Sequence, residues 1–425
     1  MKRGNIMKKN ILFNNIINIF IIAFLCLSYM IIPINKVQAD TNTTPVERHG
    51  QLSVNGTDIV DKNGDKFQLR GISTHGIAWF PQYVNQEAFI YIRDEWKINA
   101  IRLAMYSDLN AGYNEDIKNK VKQGVEYAKN AGLYVIIDWH ILSDGNPNMY
   151  KNEAIEFFKE MATLYKNDAN VIYEICNEPN GDVQWEKDIK PYAEDVIREI
   201  RNIDTDSIIV VGTPTWSQDV DVVAQSPITG YSNIMYTLHF YAATHKDYLR
   251  QKMMTALNSG LPIFVTEFGI CDASGNGNLD EGEADIWINT LNEKNISWIC
   301  WNLSNKNESS AILSSSTGKI TGWTEDELSG EGKWLVRTLK ENEEKIEVVE
   351  NKDNTQKISN NNVVENNINN NVKNEVVQAN NNVQSEINKD AETINVMKVT
   401  IIVLATALIT TILLFIYKIN KMKSK

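Results

Sequence analysis

Between residues 41 and 341 the chain reads as an α/β protein, a TIM (β/α)8 barrel with an N-terminal β-hairpin. Three observations predict it. Eight short strand-like runs alternate with amphipathic helix-like runs. The clearest strands, such as Leu133-Tyr-Val-Ile-Ile-Asp138, are almost continuously apolar, as a parallel sheet buried on both faces requires. Such a strand–helix rhythm over roughly 300 residues suits a closed barrel. An open doubly wound sheet is the alternative, but no Gly-x-Gly-x-x-Gly turn follows the first strand.

The elements follow in order. Asn63-Gly64 predicts a hairpin turn ahead of the first barrel strand, Phe67-Gln-Leu-Arg-Gly-Ile72. A helix over 85–96 leads to the strand 100–105. In 114–130, Ile117, Val121, Val125 and Ala128 mark one helical face, with Gly132 as the stop. The third strand is 133–138. A helix over 153–165 precedes the fourth, which ends in Asn177-Glu178-Pro179. A helix over 188–203 precedes the strand 207–211, and the strand 233–238 follows. Helices over 246–258 and 281–293 precede the strands 263–266 and 297–301. A helix over 333–341 closes the domain.

Polar and aromatic residues gather where these strands end, the face on which barrels carry chemistry. His75, Gly76 and Trp79 follow the first strand. Arg102 lies in the second, with Tyr106 at its end. Trp139 and His140 follow the third, and Asn177 and Glu178 end the fourth. Trp216 follows the fifth, His239 and Tyr241 the sixth. Glu267 ends the seventh, Trp301 and Asn302 the eighth. Two strand-end glutamates among aromatics suggest paired-carboxylate cleavage of a sugar polymer. Glu178 suits the proton donor and Glu267 the nucleophile. Arg102 is expected to keep Glu267 ionised and lower its pKa, and Tyr241 to hydrogen-bond the same carboxylate. Asn177 is placed to meet a sugar 2-hydroxyl. Trp79, Trp216 and Trp301 offer flat faces for pyranose rings.

The runs Gly71-Ile-Ser-Thr-His-Gly76, Val135 to Asp144, Tyr173 to Asn180, Trp216 to Asp219, His239 to Tyr241 and Glu308 to Ala311 carry a resemblance. Residues from about 51 to 341 resemble glycoside hydrolase family 5, in particular the bacterial endo-β-1,4-glucanases of its second subfamily. The resemblance implies a retaining double displacement on a β-1,4-linked glucan, with Glu178 as acid/base and Glu267 as nucleophile. It implies substrate contacts by Arg102, His140, Asn177, His239, Tyr241 and Trp301, and sugar hydroxyl contacts by Lys306 and Glu308. It implies no cofactor. Phe268 departs from the Trp that usually follows the nucleophile. A β-mannanase or a xyloglucan- or lichenan-preferring enzyme is the nearest alternative, and a non-catalytic carbohydrate-binding barrel the more distant one.

The rest of the chain bounds the setting. Residues 1–39 read as a secretory signal, with Lys2, Arg3, Lys8 and Lys9 ahead of an apolar run and Val37-Gln-Ala39 for cleavage. Residues 342–396 are Asn-rich without aromatic, Gly or Pro, and read as a disordered stalk. The segment 397–417, uncharged from Val399 onward, is long enough to cross a bilayer, and Lys418, Lys421, Lys423 and Lys425 keep the tail 418–425 cytoplasmic. The enzyme is thus expected at the outer face of the membrane, releasable by proteolysis of the stalk. A net charge of −12 argues against a nucleic-acid partner, and no protein partner is implied. Outside the leader only Cys176, Cys271 and Cys300 occur, an odd set that implies no disulfide framework. No metal is expected from histidine spacing. The loop Asp272 to Glu283 resembles an EF-hand loop but has Ser274 at its third position, so a Gly/Asn-rich turn is the simpler reading.

Overall fold

The computed structural model describes residues 43–110 and 112–342. The chain divides into two units after Glu341, and the barrel belongs to the first. The expected leader, stalk, membrane span and basic tail lie outside the described residues, save Asn342. Among the described residues no helix is long and apolar enough to cross a membrane.

A two-stranded antiparallel sheet, β1 (Ser53–Asn55) and β2 (Asp58–Val60), precedes the barrel. Its turn lies at Gly56, which takes φ +62°, rather than at the expected Asn63-Gly64. Asn63-Gly64 forms a second turn, closed by a Val60–Lys66 bridge. The Asp61 carboxylate organises it by accepting from the backbone N–H of Asn63 and Asp65.

The barrel strands are β3 (Arg70–Thr74), β4 (Ala100–Tyr106), β5 (Tyr134–His140), β6 (Val171–Glu174), β7 (Ile209–Val211), β8 (Ile234–Tyr241), β9 (Ile263–Gly269) and β10 (Trp298–Leu303). They are parallel and close in chain order, with β10 pairing β3. Alternation along each strand makes two apolar layers. Outward residues such as Ile101, Leu103 and Met105 pack against the surrounding helices. Inward residues near the strand starts, including Ala100, Tyr134, Ile172, Met235 and Phe264, join Ile59 of the hairpin sheet and Leu52 just before it. The N-terminal mouth is thereby filled. Higher in the barrel the inward positions turn polar: Arg102, Asp138, Glu174 and Thr266 are all fully buried.

Local chemistry explains the helices. Asn114 caps Glu115–Asn130 by accepting from Ile117 N–H, with Glu115 and Asp116 in the positive first turn. Gly132 ends it at φ +66°, where a Cβ would lie 2.1 Å from Thr44. Several strand ends differ from the sequence pattern in a way that bears on function. β5 runs on to His140 and β8 to Tyr241. β6 stops at Glu174, so Glu178 lies beyond the strand. Asn177 N–H and Glu178 N–H instead donate to the carbonyls of Trp139, near the end of β5, and Ile141, just past it. β9 runs on to Gly269, so Glu267 sits inside a strand.

Candidate active site

A charged cluster lies under the C-terminal mouth. Arg102 binds Glu174 with two nitrogens, Nε to Oε2 at 2.7 Å and Nη2 to Oε1 at 3.1 Å. Nη2 also meets Asn177 Oδ1 at 2.6 Å and Asp138 Oδ2 at 2.9 Å. Nη1 reaches Glu267 Oε2 at 3.2 Å and Ser73 Oγ at 3.3 Å. Burial opposes the guanidinium charge, but Asp138, Glu174 and Glu267 together hold it protonated. Burial pushes Asp138 up to about 7 against the pull of Arg102.

Glu178 and Glu267 face each other above this cluster. One oxygen of each carboxyl and a ring nitrogen of His239 lie within 4.8 Å of one another. Tyr241 donates its phenol to Glu267 Oε1 at 2.8 Å. Glu178 Oε1 lies 2.9 Å from His239 Nδ1. Burial pushes Glu178 up to about 8, opposed by Arg102 and reinforced by Asp138 and Glu174. Glu267 also moves upward, first through burial and then through Glu178, against His239 and Arg102. The expected net lowering of the Glu267 pKa by Arg102 is therefore corrected: one nitrogen shared with other partners does not outweigh burial. The neighbours still separate the two acids. Glu267 touches a cation and a phenol, whereas Glu178 touches an imidazole that burial drives down to about 4 and so leaves neutral. Glu267 is the one suited to be ionised.

A cleft of about 420 Å³ opens over the pair. Its floor carries His140, whose Nδ1 lies 2.7 Å from Asp138 Oδ2 and whose ring stacks on Trp301 at 5.1 Å. Tyr106 packs on His140 from the side. At one flank Lys306 Nζ lies 2.7 Å from Glu308 Oε2 and 3.3 Å from His75 Nε2. Trp79 is 47 % exposed beside Tyr106, and Trp216 is 45 % exposed. Trp216 sits on an unusual support: Thr215, Trp216 and Ser217 all take left-handed φ, 60°, 55° and 57°. Trp216 N–H donates to Pro179 O, and Ser217 Oγ donates to Asn177 O at 2.6 Å. This strained turn clamps the backbone on both sides of Glu178.

The structure thus brings together Glu178, Glu267, Arg102, Asn177, His140, His239 and Tyr241, with His75, Tyr106, Trp216, Trp301, Lys306 and Glu308 around the cleft. Trp79 stands beside Tyr106. Asn177 is fully buried, and its amide hydrogens meet Ile141 O at 3.0 Å and His140 Nε2 at 3.3 Å. Sequence reasoning missed Asp138, Glu174 and Thr266. A single carboxylate interrupting an apolar strand, Asp138 in β5 and Glu174 in β6, was the available signal. Phe268 points away from the cleft and stacks on Phe240 at 5.0 Å, which in turn stacks on Trp287.

In the Asp272–Glu283 loop, Glu283 pairs with Arg250, Asp280 pairs with Lys246, and Asp272 accepts from the Ser274 hydroxyl. Among the described residues, Glu178, His239 and Glu267 are the set spaced to hold a metal ion. A cation there would compete with the Glu178–His239 hydrogen bond and sit beside the Arg102 guanidinium, which disfavours it.

Residues 60–307 match the family model described as cellulase (glycosyl hydrolase family 5). The chain is 47 % identical over 323 residues to an endoglucanase of Clostridium saccharobutylicum, covering 75 % of this chain and 71 % of that protein. It is 48 % identical over 301 residues to endoglucanase 5 of Pectobacterium carotovorum, covering 70 % of this chain and 59 % of that protein. It also aligns with the catalytic domain of a Thermobifida fusca endoglucanase solved in complex with cellotetraose. That alignment has 39 % identity and a TM-score of 0.67, covering 70 % of this chain and all of that one.

Proposed function

The chain belongs to glycosyl hydrolase family 5 and is a glycoside hydrolase, and from that premise we propose a retaining endo-β-1,4-glucanase acting on soluble or amorphous β-glucans. The observation that carries this reading is that an oxygen of Glu178 and one of Glu267 lie within 4.8 Å, the spacing of a nucleophile and acid pair rather than the wider gap of an inverting pair.

Glu267 attacks the anomeric carbon while Glu178 gives its proton to the departing glycosidic oxygen. The glycosyl ester with Glu267 is then opened by water, from which Glu178 takes a proton. Tyr241 and Arg102 aim the Glu267 carboxylate by binding one oxygen each. His75, Lys306 and Glu308 offer charged and polar groups to sugar hydroxyls, and exposed Trp79 and Trp216 offer ring faces. His140 and Tyr106 line the cleft beside Trp301.

The basic start, the Asn-rich stalk and the apolar segment 397–417 support a further reading: an enzyme exported and tethered at the outer face of the membrane. Cells expressing a chain ending at 396 would release activity to the medium, whereas retention of that shortened chain would oppose the tether.

Initial rates on carboxymethylcellulose, lichenan, xyloglucan and β-mannan test the substrate. Reducing-sugar release is expected from carboxymethylcellulose and lost in Glu267→Gln. Preference for mannan would transfer the reading to a β-mannanase. No release by wild type from any of the four would favour a carbohydrate-binding barrel.

A further inference from the structure

The hydrogen bonds beneath Glu178 constrain where its proton resides. His239 lies between two partners, Glu178 Oε1 at 2.9 Å from Nδ1 and Thr266 Oγ1 at 3.0 Å from Nε2. Thr266 Oγ1 in turn lies 2.7 Å from Glu174 Oε1. Glu174 receives the Arg102 fork on both oxygens, the geometry of an ionised carboxylate, which can only accept. The single hydroxyl hydrogen of Thr266 therefore goes to Glu174. Thr237 Oγ1 accepts from Thr266 N–H at 3.3 Å and turns its own hydrogen to Thr266 Oγ1. Thr266, its hydrogen committed, must accept from His239, which places the ring proton on Nε2. His239 is neutral in this buried place beside Arg102. Its Nδ1 is then a bare lone pair, and only a protonated Glu178 satisfies it.

We propose that Thr266 is a positioning residue whose hydroxyl, committed to Glu174, fixes His239 as the Nε2–H tautomer and so holds on Glu178 the proton that the leaving group needs. The proposal rests on the reading of Glu178 as the acid. It also bears on the second half-reaction. Once Glu178 has given up its proton, its carboxylate faces the Nδ1 lone pair, an unfavourable contact relieved when it takes a proton from water. The same tautomer favours reprotonation of Glu178 in each cycle.

The charged and titratable groups facing this pair are Arg102 and Tyr106 from β4, Asp138 and His140 from β5, Glu174 from β6, Tyr241 from β8 and Glu267 from β9. All remain in a Thr266 variant, so a changed proton distribution there reports on the hydroxyl. Thr266→Val removes it at nearly constant shape, and Thr266→Ser restores it.

The direct test is long-range ¹H–¹⁵N correlation NMR on the ¹⁵N-histidine-labelled protein, with His239 assigned by comparison with His239→Gln. The expected pattern at neutral pH is a neutral ring protonated at Nε2, kept in Thr266→Ser and lost in Thr266→Val. The matching kinetic result is an alkaline midpoint of kcat/KM on polymer lowered by about one pH unit in Thr266→Val and unchanged in Thr266→Ser. A wild-type ring protonated at Nδ1, or at both nitrogens, would overturn the proposal, as would an unshifted Thr266→Val profile. Polymer hydrolysis at the wild-type rate by Glu178→Ala is a separate outcome: it would remove the acid assignment while leaving the tautomer measurement standing.

Discussion

Arg102 gives Glu267 a single donor, Nη1 at 3.2 Å, because Glu174 takes the other edge of its guanidinium. The nucleophile is thus aimed by one arm of a fork whose other arm is anchored in the barrel. A lysine could supply the charge but not both edges at once. Arg102→Lys is expected to lower kcat/KM on carboxymethylcellulose about 100-fold, about 2.7 kcal/mol of barrier. Thermal unfolding of the same variant should come at lower temperature, since buried Glu174 loses its two-point partner. Unchanged kcat/KM would show that charge alone suffices.

The pH dependence follows from the environments of the two acids. Activity needs Glu267 ionised and Glu178 protonated. Both are raised by burial, Glu178 to about 8, so the profile of kcat/KM should fall as pH rises through about 8. Its acid limb should lie above the ordinary glutamate value of 4.5, because Glu267 is also raised. The two midpoints belong to the coupled pair rather than to either residue. An alkaline midpoint below neutrality would contradict this.

Glu331 lends stability with a defined sign. It projects from the helical stretch 330–342 and accepts from Ile270 N–H at 3.2 Å, behind the strand that carries Glu267. Burial raises it to about 8. A carboxyl with a raised folded-state pKa contributes stability that is full below its unfolded value, about 4.3, and lost as pH climbs toward 8. Glu331→Gln keeps an acceptor for Ile270 and cannot ionise. Its melting temperature should fall less than that of wild type between pH 5 and about 8. Parallel curves would contradict the assignment.

The left-handed turn Thr215 to Ser217 separates two effects on neighbouring residues. Trp216→Ala removes an exposed ring and should raise KM on soluble glucan about tenfold with little change in melting temperature. Ser217→Ala removes the hydrogen bond to Asn177 O and should lower kcat instead, because that bond restrains the segment bearing Glu178. A KM effect alone in Ser217→Ala would break this link.

The barrel was legible because buried parallel strands leave apolar runs such as 133–138, and because caps such as Asn114 precede helical periodicity. Glu178 and Glu267 were legible as carboxylates following apolar runs, although the first lies past β6 and the second within β9. The extent of the hairpin was less so, since two Gly turns compete within nine residues, Gly56 and Gly64. The floor of the site was hardest to read. Asp138 and Glu174 look like anomalies in apolar strands until the closed sheet brings them to Arg102 from two other strands. Burial of that whole set also reversed the expected shift of Glu267, a consequence of three-dimensional closure with no local signature.

The stereochemistry of the first-formed product is the most direct measurement. A short cello-oligosaccharide is mixed with enzyme and the anomeric protons are followed by NMR before mutarotation. Two carboxyls with oxygens within 4.8 Å predict that the β-anomer appears first. Initial appearance of the α-anomer would contradict attack by Glu267 and with it the roles given to both glutamates.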